Sequence, residues 1–256
     1  MKLTMHKLLD DLKWQIEAGV DNAISEKINK RLDKKVISDN QYNNNNEETS
    51  SLPGKPKESS FPKKGLEKIH TLEELERFIN SSDFNDFKKI AKNTIFFNGS
   101  SNSKIMVICN VPDSNEDNVG QSLVAEKGDL FDNIISSIGL SRQSLYITSI
   151  IPWKIAGNRD LSENEKIILM PIIKKHIEII KPKIIILLGS DSLKYLLNLS
   201  DGIVKKRGEW LNYSQEDLSI PSLPILDPEF LLRRPEYKRE AWNDIIILEK
   251  KIKELG

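Results

Sequence analysis

The segment from Lys183 to Leu188 is apolar apart from its first residue and ends at Gly189-Ser190. A run this short, without polar alternation, is typical of a strand that is buried on both faces of a sheet. A glycine and a serine directly after such a strand favour a turn into a helix. The chain must therefore supply helices that cover both sides of a central sheet.

Short runs and longer periodic segments alternate along the rest of the chain. The other runs rich in β-branched residues, which we interpret as strands, are Thr94 to Phe97, Ile105 to Cys109, Ser144 to Ile150 and Leu223 to Leu226. The helical patterns are Thr71 to Ile79, Phe131 to Ile138, Glu163 to Ile180 and Glu236 to Leu255. This order predicts a three-layer α/β domain with a central, mostly parallel four-stranded sheet flanked by helices. Ligands of such sheets bind at the carboxyl ends of the strands.

Composition divides the chain into three parts. Residues 1–33 place apolar side chains three and four positions apart, which predicts an amphipathic amino-terminal helix able to bind a protein partner. Residues 34–66 are rich in Asn, Ser, Lys and Pro and predict a disordered linker. The lysines of this linker either solvate it or contact DNA phosphates. Residues 67–256 form the compact domain.

The charge and the cysteine content of the chain exclude few classes of function. The chain has 38 Lys and Arg against 38 Asp and Glu, so any basic surface must be local. It has no stretch long and apolar enough for a membrane span and no signal-peptide pattern, so we expect a cytoplasmic protein. The single cysteine, Cys109, follows a strand pattern and is expected to be a small core residue. His176 lies among lysines on a helix and is expected to be exposed.

Four segments, in this order and spacing, resemble the family-four type of uracil-DNA glycosylase. They are Val107 to Gly120, Leu145 to Arg159, Ile177 to Gly189 and Leu226 to Trp242, and Arg207-Gly-Glu-Trp210 also fits. The resemblance covers about Thr71 to Leu255. It implies a uracil-DNA glycosylase-like fold and a DNA-repair function, in which a uracil nucleotide leaves the base stack and its glycosidic bond is hydrolysed.

The two positions that would carry this chemistry are substituted. The family motif Gly-Glu-Ala-Pro-Gly is matched by Cys109 to Asp113, so that Asn110 stands at the position of the glutamate. An amide can orient a water molecule but cannot take its proton. The His-Pro motif becomes Asp227-Pro228, and an ionised aspartate repels the uracil anion that a histidine would stabilise.

The positions that would hold the base are substituted as well. Leu123 corresponds to the stacking phenylalanine and retains apolar contact without an aromatic face. Ser149 corresponds to the asparagine that reads the base edge, and a hydroxyl makes one directional contact where an amide makes two. We therefore expect weak recognition of uracil.

The resemblance also implies an iron–sulfur cluster, for which this chain lacks the cysteines. Trp153 and Leu169 occupy two of the ligand positions, and no Cys-x-x-Cys precedes Ile105. An indole and an aliphatic side chain are expected to fill that volume as packing, so no cofactor is predicted. No metal ligand is assigned either, although a divalent ion held by Asp113, Glu116, Asp117 and Asp227 is a minor alternative.

The groups expected to contact DNA, single-stranded or duplex, follow from the same resemblance. They are Leu231, Leu232, Arg233, Arg159 and Arg207. In one interpretation Leu231 or Leu232 wedges into the duplex and Arg233 and Arg234 contact phosphates. In the other, the leucines pack beneath the terminal helix and the arginines lie in solvent.

Three hypotheses of function follow. The first is a glycosylase relative that has lost efficient base excision and persists as a DNA- or partner-binding module. The second is an active glycosylase, for uracil or another damaged base, in which Asn110 and a protonated Asp227 take over the lost roles. The third is an interaction role for the amino-terminal helix, with the domain as its anchor.

Overall fold

The structure is a computed structural model that describes residues 63–81, 84–157, 159–199, 201–215 and 218–255. Its strands form one six-stranded sheet in the order β1-β3-β2-β4-β6-β5. The four central strands are parallel, and β1 and β5 are antiparallel edges. The strands are β1 (Asn98–Gly99), β2 (Ile105–Cys109), β3 (Tyr146–Ser149), β4 (Ile184–Leu188), β5 (Leu211–Gln215) and β6 (Leu218–Ile225).

Helices cover both faces of the sheet. The α-helices are α1 (Lys63–Leu66), α2 (Leu72–Ile79), α3 (Asn85–Lys88), α4 (Ser114–Val119), α5 (Ala125–Ser136), α6 (Glu163–Ile180), α7 (Ser190–Leu197), α8 (Ile203–Lys206), α9 (Pro228–Arg233) and α10 (Lys238–Leu255). Short 3₁₀ helices lie at Arg142–Ser144 and Pro235–Tyr237. The expected α/β domain with a parallel centre is thus confirmed.

Successive side chains of the central strands supply two separate cores. Met106 and Ile108 of β2 belong to the cluster that includes α2 and α6, whereas Val107 and Cys109 belong to the cluster that includes α5 and α10. This division follows from the period of two in a strand. Both faces are buried, which explains why the runs of β2 and β4 are uniformly apolar. Cys109 is 3 % exposed and is the core residue that the sequence predicts.

Local signals determine where the long helix α6 begins and ends. Ser162 accepts a hydrogen bond from the backbone of Glu165, whose side chain bonds back to Ser162, and this capping box starts the helix. Lys181 adopts a left-handed conformation and is followed by Pro182, which together end it. The predicted bounds, Glu163 to Ile180, are confirmed. A capping box formed by Thr71 and Glu74 also starts α2.

The expectation that His176 is exposed is wrong. Its ring is 2 % exposed on the inner side of α6, and its Nδ1 lies 2.5 Å from the hydroxyl of Tyr146. The ring of Phe96 packs against it at 4.7 Å between centroids. Burial lowers the pKa of His176 to about 3, so the ring is neutral. The flanking lysines misled the sequence interpretation, although Lys175 is also buried.

The sheet is larger than the four strands that the sequence predicts. The predicted strand Thr94 to Phe97 is wrong, because these residues form no strand and the edge strand β1 follows them at Asn98–Gly99. Strand β5 was not predicted, because its polar residues do not resemble a buried strand. Strand β6 begins at Leu218, well before the predicted Leu223. Its Pro221 and Pro224 are unusual within a sheet, because proline has no N–H to donate.

The ordered domain also begins slightly earlier than expected. The predicted linker extends to residue 66, whereas Lys63–Leu66 forms α1 and Leu66 is buried in the core. Helix α5 begins at Ala125 rather than Phe131. The predicted helix over residues 1–33, with its partner-binding role, and the linker before residue 63 lie outside the described residues. None of the described helices combines the length and apolarity that crossing a membrane requires.

We expect acid to destabilise the fold through His176. The unfolded chain protonates this ring near its ordinary pKa of about 6.5, whereas the folded chain resists protonation down to about 3. The stabilisation is therefore complete above about pH 6.5 and decreases as the pH falls. Between about pH 7.5 and pH 5 the loss should be about 2 kcal/mol. Urea unfolding of the natural chain and of His176→Gln at both pH values isolates this contribution. An equal loss of stability in both proteins would contradict it.

Candidate functional site

The loops that follow three neighbouring parallel strands meet at the carboxyl edge of the sheet. Asn110 follows β2, Gly189 follows β4, and Asp227 follows the Ile225 end of β6. Because β4 lies between β2 and β6, these loops are adjacent in space although they are far apart in sequence. The sequence predicts this edge as the place for a site.

The side chain of Asn110 connects these three loops. Its Oδ1 accepts hydrogen bonds from the backbone N–H groups of Asp191, at 2.9 Å, and Ser192, at 3.4 Å. Its Nδ2 donates to Oδ2 of Asp227 at 3.3 Å. Asn110 therefore binds the N–H groups in the first turn of α7, and its amide oxygen is already engaged.

Gly189 is required at the start of α7 because Asn110 lies against it. A Cβ atom at Gly189 would lie 2.2 Å from Nδ2 of Asn110. The glycine also has a φ of +102°, which side chains disfavour. Any other residue at this position would push the Asn110 amide away from the helix.

Asp227 has a structural bond as well as its contact with Asn110. It is the N-cap of α9, and its Oδ1 accepts from the N–H of Glu229 at 2.7 Å. Burial raises the pKa of Asp227 to about 6, although this N–H bond and the charge of Lys127 oppose the shift. The carboxyl group is thus largely ionised at neutral pH and half protonated near pH 6.

A second carboxyl group lies on the other side of Asn110. Oδ2 of Asp191 accepts from the backbone N–H of Val111 at 3.4 Å. Burial raises the pKa of Asp191 above its ordinary value. The sequence interpretation missed Asp191, because it lies in a helix that carries no recognised motif. Asn110 is therefore flanked by two carboxyl groups, which makes this edge of the sheet acidic.

Lys127 is a buried cation near the site that the sequence interpretation also missed. Its Nζ lies 2.5 Å from Oδ2 of Asp113 and 2.9 Å from Oε1 of Glu116. Burial of Lys127 opposes its charge, but Glu116 and Asp113 raise its pKa well above the usual value. Lys127 therefore stays protonated and neutralises part of the acidity of the β2 loop.

The acidic residues that follow β2 form hydrogen bonds within the protein. Asp113 and Glu116 form the capping box of α4, and Glu116 also accepts from the N–H of Leu123 at 2.7 Å. Asp117 accepts from the backbone of Lys92 at 2.8 Å. Within the part of the chain that the structure describes, no group of three or more His, Cys, Asp and Glu could hold a metal ion.

The two residues expected to contact the base are buried. Ser149, at 3 % exposure, shares a hydrogen bond of 2.8 Å with the hydroxyl of Ser122, so its hydroxyl already has a partner. Leu123 is 1 % exposed and belongs to the core cluster of β2 and α5. It also has a positive φ of 58°, which Gly120 and the bond to Glu116 help to hold. In this structure Leu123 has no face available for stacking.

Two of the arginines expected to contact DNA are engaged in ion pairs. Both guanidinium nitrogens of the exposed Arg159 bond Glu165 at 2.7 Å. Arg207 forms a bidentate pair with Asp244, at 2.8 and 2.6 Å, and also donates to the backbone oxygen of Glu240. Because Asp244 is 1 % exposed, Arg207 neutralises a buried charge and cannot leave it for a phosphate without a large cost. Arg207 thus has a structural role beside Asp244, and its DNA contact stays a prediction.

The leucine pair of α9 separates into one buried and one exposed residue. Leu231 is 1 % exposed and packs against Leu226 and Ala241 beneath α10. Leu232 is 38 % exposed. The side chain of Arg233 is 71 % exposed and lies 3.8 Å from Glu229, a contact of little energy at the surface. Leu231 is therefore a core residue, whereas Leu232 and Arg233 are exposed at the end of α9.

The residues that match the cluster ligands form an aromatic core. Trp153 is 1 % exposed and stacks on Phe87, with 5.9 Å between centroids and 9° between planes. Phe84 also packs against Trp153, with 5.2 Å between centroids, and Nε1 of Trp153 donates to Thr94 at 2.9 Å. Leu169 belongs to the same cluster. These apolar groups do not fit an iron–sulfur cluster, whose irons require several thiolates, and the chain has a single cysteine.

Comparison with known proteins gives a consistent result. The model of the uracil DNA glycosylase superfamily matches residues 96–246, more than half of the chain. The chain is 33 % identical to the type-4 uracil-DNA glycosylase of Saccharolobus solfataricus over 171 residues, which cover 65 % of this chain and 77 % of that protein. With the type-4 uracil-DNA glycosylase of Archaeoglobus fulgidus it shares 27 % over 191 residues, covering 73 % and 94 %. It is also 28 % identical over 151 residues to 16 % of the DNA polymerase of Bacillus phage SP01, covering 59 % of this chain.

We expect Arg207 and Arg159 to differ in their contribution to stability. Arg207→Ala leaves the carboxylate of Asp244 buried without its partner, which should cost about 3 kcal/mol of the free energy of unfolding. Arg159→Ala removes an exposed bidentate pair of similar geometry and should cost less than about 1 kcal/mol. Urea unfolding at neutral pH measures both, and Arg159→Ala is the matched control. Equal losses would mean that burial of Asp244 does not determine the cost.

Proposed function

Because the chain belongs to the uracil-DNA glycosylase superfamily, we propose that it is a DNA-repair protein that has lost most or all uracil excision. In this proposal it persists as a module that binds DNA or a protein partner. The observation that carries it is the hydrogen bond between Asn110 and Asp227, at 3.3 Å, which joins the two substituted catalytic positions to each other.

The departing base would meet the wrong charge. Hydrolysis of the glycosidic bond releases uracil as an anion, beside a cationic sugar. Asp227 stands where the family resemblance implies a histidine, and above about pH 6 it carries a negative charge. Loss of one donor to a developing anion typically costs roughly 100- to 1,000-fold in rate, and a like charge should cost more.

Activation of water is also unsupported. The resemblance implies a glutamate at the position of Asn110, and an amide cannot accept the proton of water. Oδ1 of Asn110 is moreover occupied by the N–H groups of Asp191 and Ser192. The amide therefore stabilises α7 rather than positioning a water molecule.

Recognition of the base is weakened because the residues expected to contact it already have partners within the protein. The hydroxyl of Ser149 is bonded to Ser122, and Leu123 is packed into the core. An edge-reading amide pair contributes roughly 1 to 3 kcal/mol of base discrimination, and neither residue replaces it. Binding to DNA need not depend on these contacts, because phosphate contacts supply most of the affinity of non-specific complexes.

Part of the DNA-facing surface remains available. Leu232 and Arg233 are the exposed last residues of α9, the helix that Asp227 caps at its other end. The side chain of Arg233 has only a distant exposed partner and is free to exchange it for a phosphate. These two residues support the proposal that the protein contacts DNA without excising a base.

We expect uracil excision to return when both substituted positions are reversed. Single-turnover assays on single-stranded and duplex oligonucleotides with uracil should show slow or no release by the natural protein and faster release by Asp227→His with Asn110→Glu. Asn110→Glu alone should remain inactive, because its carboxylate would face that of Asp227. Asp227→His alone should recover part of the rate, since a donor to the leaving base typically contributes roughly 100-fold or more.

DNA binding recorded for each variant separates excision from affinity. The proposal requires that the natural protein binds the oligonucleotides and that binding changes little in the double variant. Release of uracil by the natural protein at the rate of the double variant would contradict the loss of activity. A natural protein that neither binds nor cleaves DNA would contradict the DNA-binding role.

A second candidate function is an active glycosylase with a rearranged site. The observation in its favour is the raised pKa of Asp227, about 6, because a protonated carboxyl group can donate a hydrogen bond to a departing base. The fraction of Asp227 that is protonated increases as the pH falls, so this candidate predicts a characteristic dependence of excision on pH.

If this second candidate holds, excision should increase as the pH falls through about 6. The reason is that protonation converts Asp227 from a repelling acceptor to a neutral donor. Asp227→Asn, which is neutral and a donor at every pH, should have a flatter profile between about pH 5 and pH 8. Initial rates across this range measure both. A rate that falls as Asp227 becomes protonated would exclude the candidate.

A further inference from the structure

Trp242 is an exposed aromatic residue beside an apolar cavity. The side chain lies in the first turns of α10 and is 48 % exposed. The cavity has a volume of about 120 Å³ and lies between α5, α9 and α10. The side chains that line it with Trp242 are Leu130, Ile134, Leu231, Ala241, Ile245 and Lys238.

The size of this cavity suits a single ring. Engineered apolar cavities of about 150 Å³ accept benzene, and such cavities otherwise stay empty of water. Trp242 lines the cavity and leaves about half of its own surface to solvent. A planar ligand could therefore contact the indole and the aliphatic wall together.

The charges around Trp242 favour an anionic ligand. Lys238 and Arg239 are both exposed and lie in the first turn of α10. Neither forms an ion pair within the ranges that the structure describes. Cations at the amino-terminal end of a helix are disfavoured by the helix dipole, so helix stability does not explain them. A phosphate nearby would be stabilised by both side chains.

An exposed aromatic ring next to unpaired cations is the combination that binds single-stranded nucleic acid. Bases stack on the ring, and the cations contact the flanking phosphates. The formal charge of the whole chain is zero, so positive charge that attracts DNA must be local, as it is at Lys238 and Arg239. It also contrasts with the acidic edge around Asn110 and Asp227.

We propose that Trp242, Lys238 and Arg239, which we call the Trp242 face, bind an unpaired base of single-stranded DNA. The base stacks on Trp242 at the mouth of the cavity, and Lys238 and Arg239 contact the phosphates on either side. This inference rests on the DNA-binding function proposed above and names the form of DNA and the surface. It requires no chemistry at Asn110 or Asp227.

The test is the affinity of the full chain for a fluorescent oligothymidylate, measured by anisotropy at several salt concentrations. Trp242→Ala should weaken binding roughly tenfold, and Trp242→Phe, which keeps a stacking face, should weaken it less. Lys238→Glu combined with Arg239→Glu should also weaken binding and should reduce the salt dependence by about 0.7 per phosphate contact. A duplex of the same length should be affected less by Trp242→Ala.

Two matched controls lie outside the Trp242 face. Lys250→Glu makes the same change of charge as each of the two single reversals on the face, at an exposed position farther along α10, and Ile167→Ala removes an apolar side chain that is 56 % exposed on α6. Both variants should bind like the natural chain. If Lys250→Glu weakens binding as much as the charge reversals on the face, the effect is general electrostatics and the proposal fails.

Cross-linking keeps the proposal testable if Trp242→Ala does not fold. Irradiation of the natural chain with an oligonucleotide that carries 5-iodocytosine should attach the base at Trp242, as located by mass spectrometry. Attachment elsewhere overturns the proposal. A folded Trp242→Ala that binds DNA normally also overturns the proposal, even if the substitution dissociates a dimer of the chain. If the natural chain binds no DNA, the proposed function fails together with this inference; if only Trp242→Ala has no effect, this inference alone fails.

Discussion

The amide of Asn110 joins the ends of three adjacent parallel strands. From the end of β2 it bonds the first N–H groups of α7, which follows β4, and the carboxyl group that follows β6. Gly189 makes this possible by leaving room for the amide. The carboxyl edge of the sheet is therefore closed by internal hydrogen bonds, and each polar group there is a structural partner of another. Buried polar groups need such partners, because each unsatisfied one costs free energy.

The same principle explains why the substitutions of this chain fit together. Ser149 bonds Ser122, Trp153 bonds Thr94 while it stacks on Phe87, and Arg207 neutralises Asp244. In each case a side chain that the family resemblance would assign to a base, a cluster or DNA is satisfied within the protein. These side chains are thus internal contacts of the fold. This arrangement agrees with the proposal that the protein binds DNA but has lost uracil excision.

Charge divides that surface into two regions. Two carboxyl groups with raised pKa values lie beside Asn110, and Lys127 neutralises only part of the charge of Asp113 and Glu116. On α9 and α10, exposed cations lie beside exposed apolar side chains. In the function we propose, anionic DNA is attracted by the second region and repelled by the first, so that binding takes place away from Asn110 and Asp227. The neutral total charge of the chain conceals this arrangement.

The sequence by itself determined the parallel centre of the sheet, the bounds of α6, the core position of Cys109 and the substitutions at Asn110 and Asp227. These follow from periodicity, capping and motif order, which are local properties of the chain. It did not determine the polar edge strand β5, the burial of His176 or the role of Arg207. Nor could it separate Leu231 from Leu232 or identify Lys127 and Asp191. Those outcomes depend on residues distant in the chain, such as Tyr146 for His176 and Asp244 for Arg207. Only the tertiary structure brings such partners together, because a buried polar group takes the partner that packing places beside it.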